Sequence, residues 1–308
     1  MKSNSVSIII PTFNRCEILK KVLMALECQT VDKKNFEVLL VDDGSSDNTA
    51  TMVREFSVRS RLNIRYLFQE NKKQGAARNL AIEHAQMPIA IFIGDDIIPE
   101  PRFIESHLTF HSRLANPSKS CVIGYTTWPE DIRVTPFMRY IGEFGHQFGY
   151  SLIDGNGPLR FNFYYTSNLL IPLSLLAEHN FRFDEDFDVY GWEDIEFGYR
   201  LETSGAELFY NPDALAYHYH PVDVSSFCKR QESVGKASNI FIKKHPELEW
   251  FLGDKVLLEK NAEPYFKAVI YKNIVNMLDK FFNLSLSHDI YKFVLDTHYA
   301  KAATRPAR

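Results

Sequence analysis

Residues 89–101 read IAIFIGDDIIPEP. The apolar run 89–93 stops abruptly at Gly94, Asp95 and Asp96, and Pro99 closes the turn that follows. A short apolar run bounded by Gly and Pro predicts a buried parallel strand. In an open α/β sheet, ligands bind beyond the carboxyl ends of the strands, which is where this Asp pair falls. Two adjacent carboxylates taken out of water need a cation or hydrogen-bond donors to offset the cost. Oxygen ligands suit Mg²⁺ or Mn²⁺, ions that commonly also hold phosphate oxygens. Taken alone, the pair reads equally as a solvated Gly-Asp-Asp turn.

Upstream, the same pattern recurs. Residues 6–10 are apolar and β-branched and end at Pro11, a first strand, with Thr12, Phe13 and Asn14 as its turn. Ile18, Leu19, Val22, Leu23 and Leu26 then fall at helical spacing. A second strand, 36–41, ends in Asp42-Asp43-Gly44-Ser45, and Asp47 is placed to cap a helix over 48–59. A third strand spans 63–68, and a helix over 75–85 carries Arg78 near its start. A further helix follows Pro101 and runs to about Leu114. Strands alternating with helices predict a parallel sheet. Its carboxyl ends share one edge, so Asp42, Asp43, Asp95 and Asp96 are expected to line one cleft. No G-x-G-x-x-G follows the first strand and no P-loop is present. Bound phosphates would have to be held through a metal and Arg78.

Downstream the pattern changes. Residues 125–165 mix recurrent Gly and Pro with dense aromatics, among them Trp128, Phe137, Tyr140, Phe148, Phe161 and Tyr164. So long an irregular stretch is usually functional or disordered, and the aromatics argue against disorder. It reads either as core or as a lid and acceptor surface where rings pack on sugar faces; Tyr165, and outside the stretch Asn168, Trp192 and His220, are the candidate acceptor-side residues. Residues 188–200, DVYGWEDIEFGYR, predict a helix starting near Glu193, with Trp192 just before it and a Glu196–Arg200 pair along it. Asp194 then lies in the first turn, either complementing the helix dipole or serving as a general base. Short strands are expected at 207–210 and 214–220, the second placing His218 and His220 on one face, where either would complete a metal site with Asp96. Helices are expected over about 224–243, 263–282 and 288–299, with fraying from Lys301 onward.

The bulk numbers suit an ordinary globule: 308 residues, 45% hydrophobic, net charge −4. That charge gives no support to nucleic-acid binding. It is uneven, however: residues 225–308 carry 14 Lys+Arg against 9 Asp+Glu, while the preceding chain carries 21 against 30. A basic tail is a candidate for contact with an anionic membrane or for oligomerisation, though more often a solvated helical face. Cys16, Cys28, Cys121 and Cys228 are scattered without C-x-x-C, the usage of a reduced compartment. No apolar run reaches the ~18–20 residues that span a bilayer, and the N-terminus lacks a signal-peptide layout. The expectation is a cytoplasmic protein, peripheral at most to the inner face of a membrane.

Five motifs together carry a family likeness. Residues 9–15 (IIPTFNR), 41–45 (VDDGS), 75–79 (GAARN), 94–96 (GDD) and 191–201 (GWEDIEFGYRL) resemble glycosyltransferase family 2 with its GT-A fold. The last block is similar to the Glu-Asp motif of galactosyltransferase and chondroitin-polymerase-like enzymes. The likeness covers about residues 5–220 and only loosely the tail. It implies a Rossmann-like, mainly parallel mixed sheet flanked by helices, with a C-terminal helical extension. The expected division is a GT-A domain over 1–222, with a nucleotide-sugar half to about 100 and an acceptor half beyond it, and helices over 223–308.

By position, the resemblance implies Pro11 and Thr12 beside the nucleotide base. Asp42 and Asp43 would hold base and ribose, and Arg78 would approach the ribose–phosphate. Asp95 and Asp96 match the DxD motif, Asp96 being the metal ligand on the diphosphate, with His218 as a further ligand. Asp194 would be the base, with Glu193 beside it. Gly94 departs from the family's common first Asp. The implied activity is metal-dependent, inverting transfer of a sugar from a nucleoside-diphosphate sugar, UDP-linked by preference, to a hydroxyl of a glycan or glycolipid. Mn²⁺ or Mg²⁺ would be the cofactor. Two alternatives stand beside it: a catalytically silent nucleotide-sugar-binding module, and a sugar-nucleotide nucleotidyltransferase.

Overall fold

The computed structural model describes residues 5–155, 157–252 and 263–303. The chain forms two compact units. One comprises Met1–Pro129, Asp154–Glu185 and Asp194–Tyr219, the other Glu130–Ile153, Asp186–Glu193 and His220–Arg308. This differs from a cut at 222, because 130–153 and 186–193 pack with the C-terminal helices.

The first unit is built on one eight-stranded sheet: β1 (Val6–Thr12), β2 (Phe36–Asp42), β3 (Ile64–Phe68), β4 (Ile89–Ile93), β5 (Ile97–Pro99), β6 (Ser120–Thr127), β7 (Asn168–Pro172) and β8 (Glu207–His218). Their order is β3-β2-β1-β4-β7-β6-β8-β5. The expected strands β1 to β4 pair in parallel. Every residue of β2 and β4 is buried, which is why β4 reads as a continuous apolar run and β2 as one interrupted only by Glu37 before its terminal Asp42. Helices α1 (Cys16–Glu27), α2 (Thr49–Arg59), α3 (Lys73–His84), α4 (Phe103–Ser112), α6 (Leu173–Glu178) and α7 (Glu193–Thr203) belong with this sheet. The periodicity of α1 is borne out: Leu19, Val22, Leu23 and Leu26 are fully buried against the strands. Asp47 acts one residue earlier than expected, accepting the N–H of Thr49 at 3.0 Å and that of Cys16 at 3.1 Å.

In the other half of the sheet β7 and β5 reverse direction, while β6 and β8 run parallel to each other and to β1–β4. β7 is antiparallel to β4 and β6, and β5 to β8. The strands expected at 207–210 and 214–220 are one, β8, ending at His218. It pairs with β6 in two registers, offset between Gly124 and Thr126. The offset is packed by Asn168, whose amide donates to the carbonyls of Tyr125 (3.2 Å) and Ala214 (2.9 Å) and whose oxygen meets His107 Nε2 at 2.7 Å. A Cβ at Gly124 would stand 2.5 Å from that amide and 2.4 Å from the Ala214 oxygen, so only Gly fits.

In the second unit, α5 (Pro136–Glu143), α8 (Val224–Lys244), α9 (Glu263–Met277) and α10 (His288–Ala303) enclose an aromatic core. Phe137 packs edge-on against Phe227 and Tyr291, each 5.8 Å away between ring centres. Asp223 and Ser226 form a capping box at the start of α8. The helix expected over 263–282 changes at Leu278 into a wider π-helical turn, Leu278–Phe282. That turn brings Asp279 inward, where it accepts the Phe137 N–H at 3.2 Å. Arg133 donates to the carbonyls of Asp279 (3.0 Å) and Lys280 (2.9 Å). Among the described residues, no helix is long and apolar enough to cross a membrane.

Candidate active site

Because β2 and β4 flank β1, the residues just past three carboxyl ends meet. Thr12 pairs in register with Asp42, and the Asp43 N–H donates to the Thr12 carbonyl at 2.9 Å. Asp42 accepts the Ser45 N–H at 2.7 Å and the Tyr66 hydroxyl at 2.6 Å. Asp43 is buried and fixes the chain before α3. Its Oδ1 accepts from Gln69 Nε2 (2.7 Å) and the Lys72 N–H (2.8 Å), and its Oδ2 accepts the Lys73 N–H (2.9 Å). Asn14, in the left-handed region at φ 54°, ties the first turn to the second by accepting the Ser46 N–H at 2.7 Å.

The Asp95–Asp96 pair follows β4. Thr12 Oγ1 donates to Asp95 Oδ2 at 2.8 Å. Arg15 Nη1 donates to Asp96 Oδ2 at 2.6 Å, and its Nε lies 3.9 Å from Asp95 Oδ1. His218 Nε2 stands 3.3 Å from the same Asp96 Oδ2, with its ring stacked on Trp128. The pairing of Ile97 with His218 and a 2.8 Å bond from the Tyr219 N–H to the Asp96 carbonyl deliver β8 to this point. Burial, and then the neighbouring Asp96 charge, push the Asp95 carboxyl above the usual carboxylate range, against the opposing pull of Arg15 and Thr12. A Cβ at Gly94 would lie 2.9 Å from Asp96 Oδ1, so a side chain there competes with the Asp96 carboxylate for space.

These donors fit a divalent ion. Carboxylate oxygens with one imidazole nitrogen suit Mn²⁺ better than Mg²⁺, which prefers oxygen alone. The Arg15 guanidinium, lying against both acids, shows that the pair demands positive charge.

Two helices complete the first unit's edge. On α3, Arg78 is buried over the Phe183 ring, 5.2 Å from its centre, and donates to Gln74 Oε1 at 3.2 Å. Next to it, Asn79 brackets Phe183 by donating to its carbonyl (2.9 Å) and accepting its N–H (2.8 Å). Phe183 stacks on Phe197 of α7 at 4.1 Å and meets Phe92 of β4 edge-on at 5.7 Å. One aromatic column thus joins the helix bearing Asp194 to β4, the strand that Asp95 and Asp96 follow. The expected Glu196–Arg200 pair is present and bidentate, at 2.7 and 2.9 Å.

Residues 7–156 match the family model described as glycosyl transferase family 2. The chain carries a glycosyl transferase family 2 domain. It is 29% identical over 282 residues to validoxylamine A glucosyltransferase of Streptomyces hygroscopicus subsp. jinggangensis, covering 79% of this chain and 61% of that one. It is 30% identical over 244 residues to chondroitin synthase of Escherichia coli, covering 71% and 35%. The chain therefore spans less than two thirds of either relative. Among solved structures, the mannosyltransferase PcManGT of Pyrobaculum calidifontis, in complex with GDP-Man and Mn²⁺, superposes with a TM-score of 0.63 at 18% identity, covering 97% of this chain and 85% of that one. TarS 1–349 of S. aureus in complex with UDP gives 0.59 at 17% identity, covering 97% and 90%. At these identities the structures establish a shared GT-A fold.

Thr12, Asp42, Asp43, Asp95 and Asp96, which lie within the matched residues, and His218, which lies beyond them, gather at one sheet edge, with Pro11 half-buried beside Thr12. His220 lies two residues past His218 and opens the last segment of the second unit. Trp192 and Glu193 also lie in that unit, where the Trp192 ring packs on Phe241, Phe251 and Tyr299. Trp192 takes φ 70° directly after Gly191 at φ 114°, a sharp turn launching α7. Asp194 is half-buried and accepts the Ile195 N–H at 2.9 Å. Tyr165 is half-buried. Asn168 does not belong to an acceptor surface: it is fully buried and its amide is spent on the strand offset. The aromatic stretch is largely core, with Phe137, Tyr140, Phe148, Tyr150, Phe161 and Tyr164 all buried. Arg15 and Trp128, neither named as a site residue from the sequence, contact the metal-site residues directly. Arg15 shares the carboxyl edge of β1, which is the one signal that pointed to it.

Proposed function

We propose that this domain moves a sugar from a nucleoside-diphosphate sugar to a hydroxyl of a glycan or glycolipid, with inversion at the anomeric carbon. The observation that carries the reading is the Asp95–Asp96 pair, placed between Arg15 and His218 at the carboxyl edge of the sheet. Asp96 and His218 are the ligands assigned to a divalent ion, which would stabilise charge growing on the departing diphosphate. Thr12 and Arg15 hold the acid pair in place, and Arg15 becomes free to meet phosphate oxygens once the acids have another counter-charge. Asp43 Oδ2 accepts one bond within the fold and keeps an acceptor direction for the imide N–H of a uracil, which favours a UDP-sugar. Asp42 and Pro11 border the same edge, and Arg78 is assigned to the ribose–phosphate side. Asp194, at the start of α7, is the base that draws the proton from the acceptor hydroxyl.

The test is a panel of nucleotide sugars assayed for nucleoside-diphosphate release with Mn²⁺. The reading expects release from UDP-sugars, raised by a suitable acceptor. Pyrophosphate release would instead mark a nucleotidyltransferase, and tight binding without release a silent module.

A further inference from the structure

We infer that Arg15 is an exchanging cation: it holds the Asp95–Asp96 pair against the entry of a divalent ion, and grips the diphosphate once the ion is bound. The role presupposes the donor-site reading, with Asp96 and His218 as the ion's ligands. One atom carries the competition. Asp96 Oδ2 stands 3.3 Å from His218 Nε2 and accepts Arg15 Nη1 at 2.6 Å. The oxygen assigned to the ion is therefore already held by a guanidinium. Two cations on one oxygen repel, and partial burial leaves that repulsion weakly screened.

Arg15 is built to exchange. Its backbone is fixed on both sides. Asn14 accepts the Ser46 N–H at 2.7 Å, and the Cys16 N–H donates to Asp47 at 3.1 Å. The Arg15 carbonyl accepts the Leu19 N–H at 3.0 Å. Movement is left to a long side chain, which is 34% exposed against 13% and 14% for the two acids. Its Asp95 contact is loose, with Nε 3.9 Å from Oδ1. The acids keep other supports. Asp95 accepts Thr12 Oγ1 at 2.8 Å, and the Asp96 carbonyl accepts the Tyr219 N–H at 2.8 Å. A structural pair has the opposite build: Arg200 grips the buried Glu196 with two bonds, at 2.7 and 2.9 Å. The next partner follows from shape. A planar guanidinium fork matches two oxygens of a diphosphate, which carries the negative charge that Arg15 gives up on leaving the acids.

The test is made on the full chain with Arg15→Gln and Arg15→Lys. Mn²⁺ alone is titrated by the paramagnetic resonance signal of the free ion, and UDP by calorimetry in saturating Mn²⁺. Arg15→Gln should bind Mn²⁺ alone at least about threefold more tightly than the unaltered chain, because the competing cation is gone. It should bind UDP at least about tenfold more weakly, because a charged hydrogen-bond donor is lost. Arg15→Lys keeps the charge without the fork, so Mn²⁺ alone should stay near the unaltered value while UDP weakens. The opposite signs separate exchange from support: a merely structural Arg15 predicts that Arg15→Gln weakens both ligands and lowers melting. That outcome overturns the proposal, as does Mn²⁺ bound no more tightly, or UDP bound as tightly, by Arg15→Gln. In each case Mn²⁺-dependent UDP binding by the unaltered chain leaves the donor-site reading standing. An unaltered chain that binds no UDP in Mn²⁺ ends that reading and this proposal together.

Discussion

Asp96 Oδ2 lies between the Arg15 guanidinium at 2.6 Å and the His218 imidazole at 3.3 Å, and this one atom concentrates the chemistry proposed for the domain. Asp96→Asn keeps the shape but loses the charge, so diphosphate release with Mn²⁺ should fall at least about a hundredfold while melting holds steady. A steady-state assay beside a thermal melt checks both. Gly94→Asp restores the family's common first acid, yet its Cβ would meet Asp96 Oδ1 at 2.9 Å. It should weaken Mn²⁺-dependent UDP binding, and tighter binding in a titration would show that the acids rearrange. Asp194 separates a structural from a chemical role. A first-turn acid contributes about 0.3–1 kcal/mol to stability, whereas a general base is worth about 10²–10⁴ in rate. Asp194→Asn should leave melting and donor affinity nearly unchanged and cut transfer at least about a hundredfold, with Glu193→Gln milder. Near-normal transfer by Asp194→Asn would make the residue a helix-terminal acid only. At this scale the acids were legible because they end apolar runs. Arg15 was not, since one cation in a polar turn has no periodicity. Asn168 was misread because a buried amide between an aromatic stretch and a strand looks like a surface residue until its partners are known.

Among elements, the contact of α4 with the strand offset makes a prediction about acid stability. Asn168 Nδ2 donates to two carbonyls, so its oxygen is the acceptor and His107 Nε2 carries the proton. Burial depresses the His107 value from the ordinary 6.5 to about 4, the Asn168 bond opposing this only in part. Between those values the unfolded chain binds a proton that the folded chain refuses. Stability should therefore fall as pH drops from about 6.5 to about 4, by about 3 kcal/mol from this group. His107→Gln keeps a donor near the Nε2 position and does not titrate. Denaturant midpoints followed from pH 7 to pH 4 should decline less steeply in the variant, and parallel declines would remove His107 as the cause. β4 is apolar throughout, and β1 and β2 are apolar but for Ser7 and Glu37 before their polar last residues, so all three declare themselves. β6, SCVIGYTT, mixes polar and apolar residues and carries a Gly, and β5 has three residues, so their pairing is decided by tertiary contact. Asn211-Pro212-Asp213 reads as a break in β8, yet the chain passes through it by shifting register against β6.

For the molecule as a whole, the basic tail is part of a folded unit. Phe137, Tyr140 and Trp192, all upstream of residue 220, bury their rings against Phe227, Tyr291, Phe241 and Tyr299. Deleting the chain from Ser225 would expose these partners together, each ring worth about 1.5–3 kcal/mol of burial. The truncated chain should be insoluble or aggregate on size-exclusion chromatography, and a soluble, monomeric truncation would contradict this division of the core. The charge count exposed the tail's basic character but not its tertiary role, because the segments it packs with are distant in sequence. The claim on which the functional reading rests is that a divalent ion and a nucleoside diphosphate bind together beside Asp96. The most direct measurement is a calorimetric titration of UDP into the full chain, with Mn²⁺ and then with excess EDTA. UDP should bind at least about tenfold more tightly with Mn²⁺, an advantage lost in Asp96→Asn. Equal affinity with Mn²⁺ and with EDTA, or no UDP binding when Mn²⁺ is present, would contradict it.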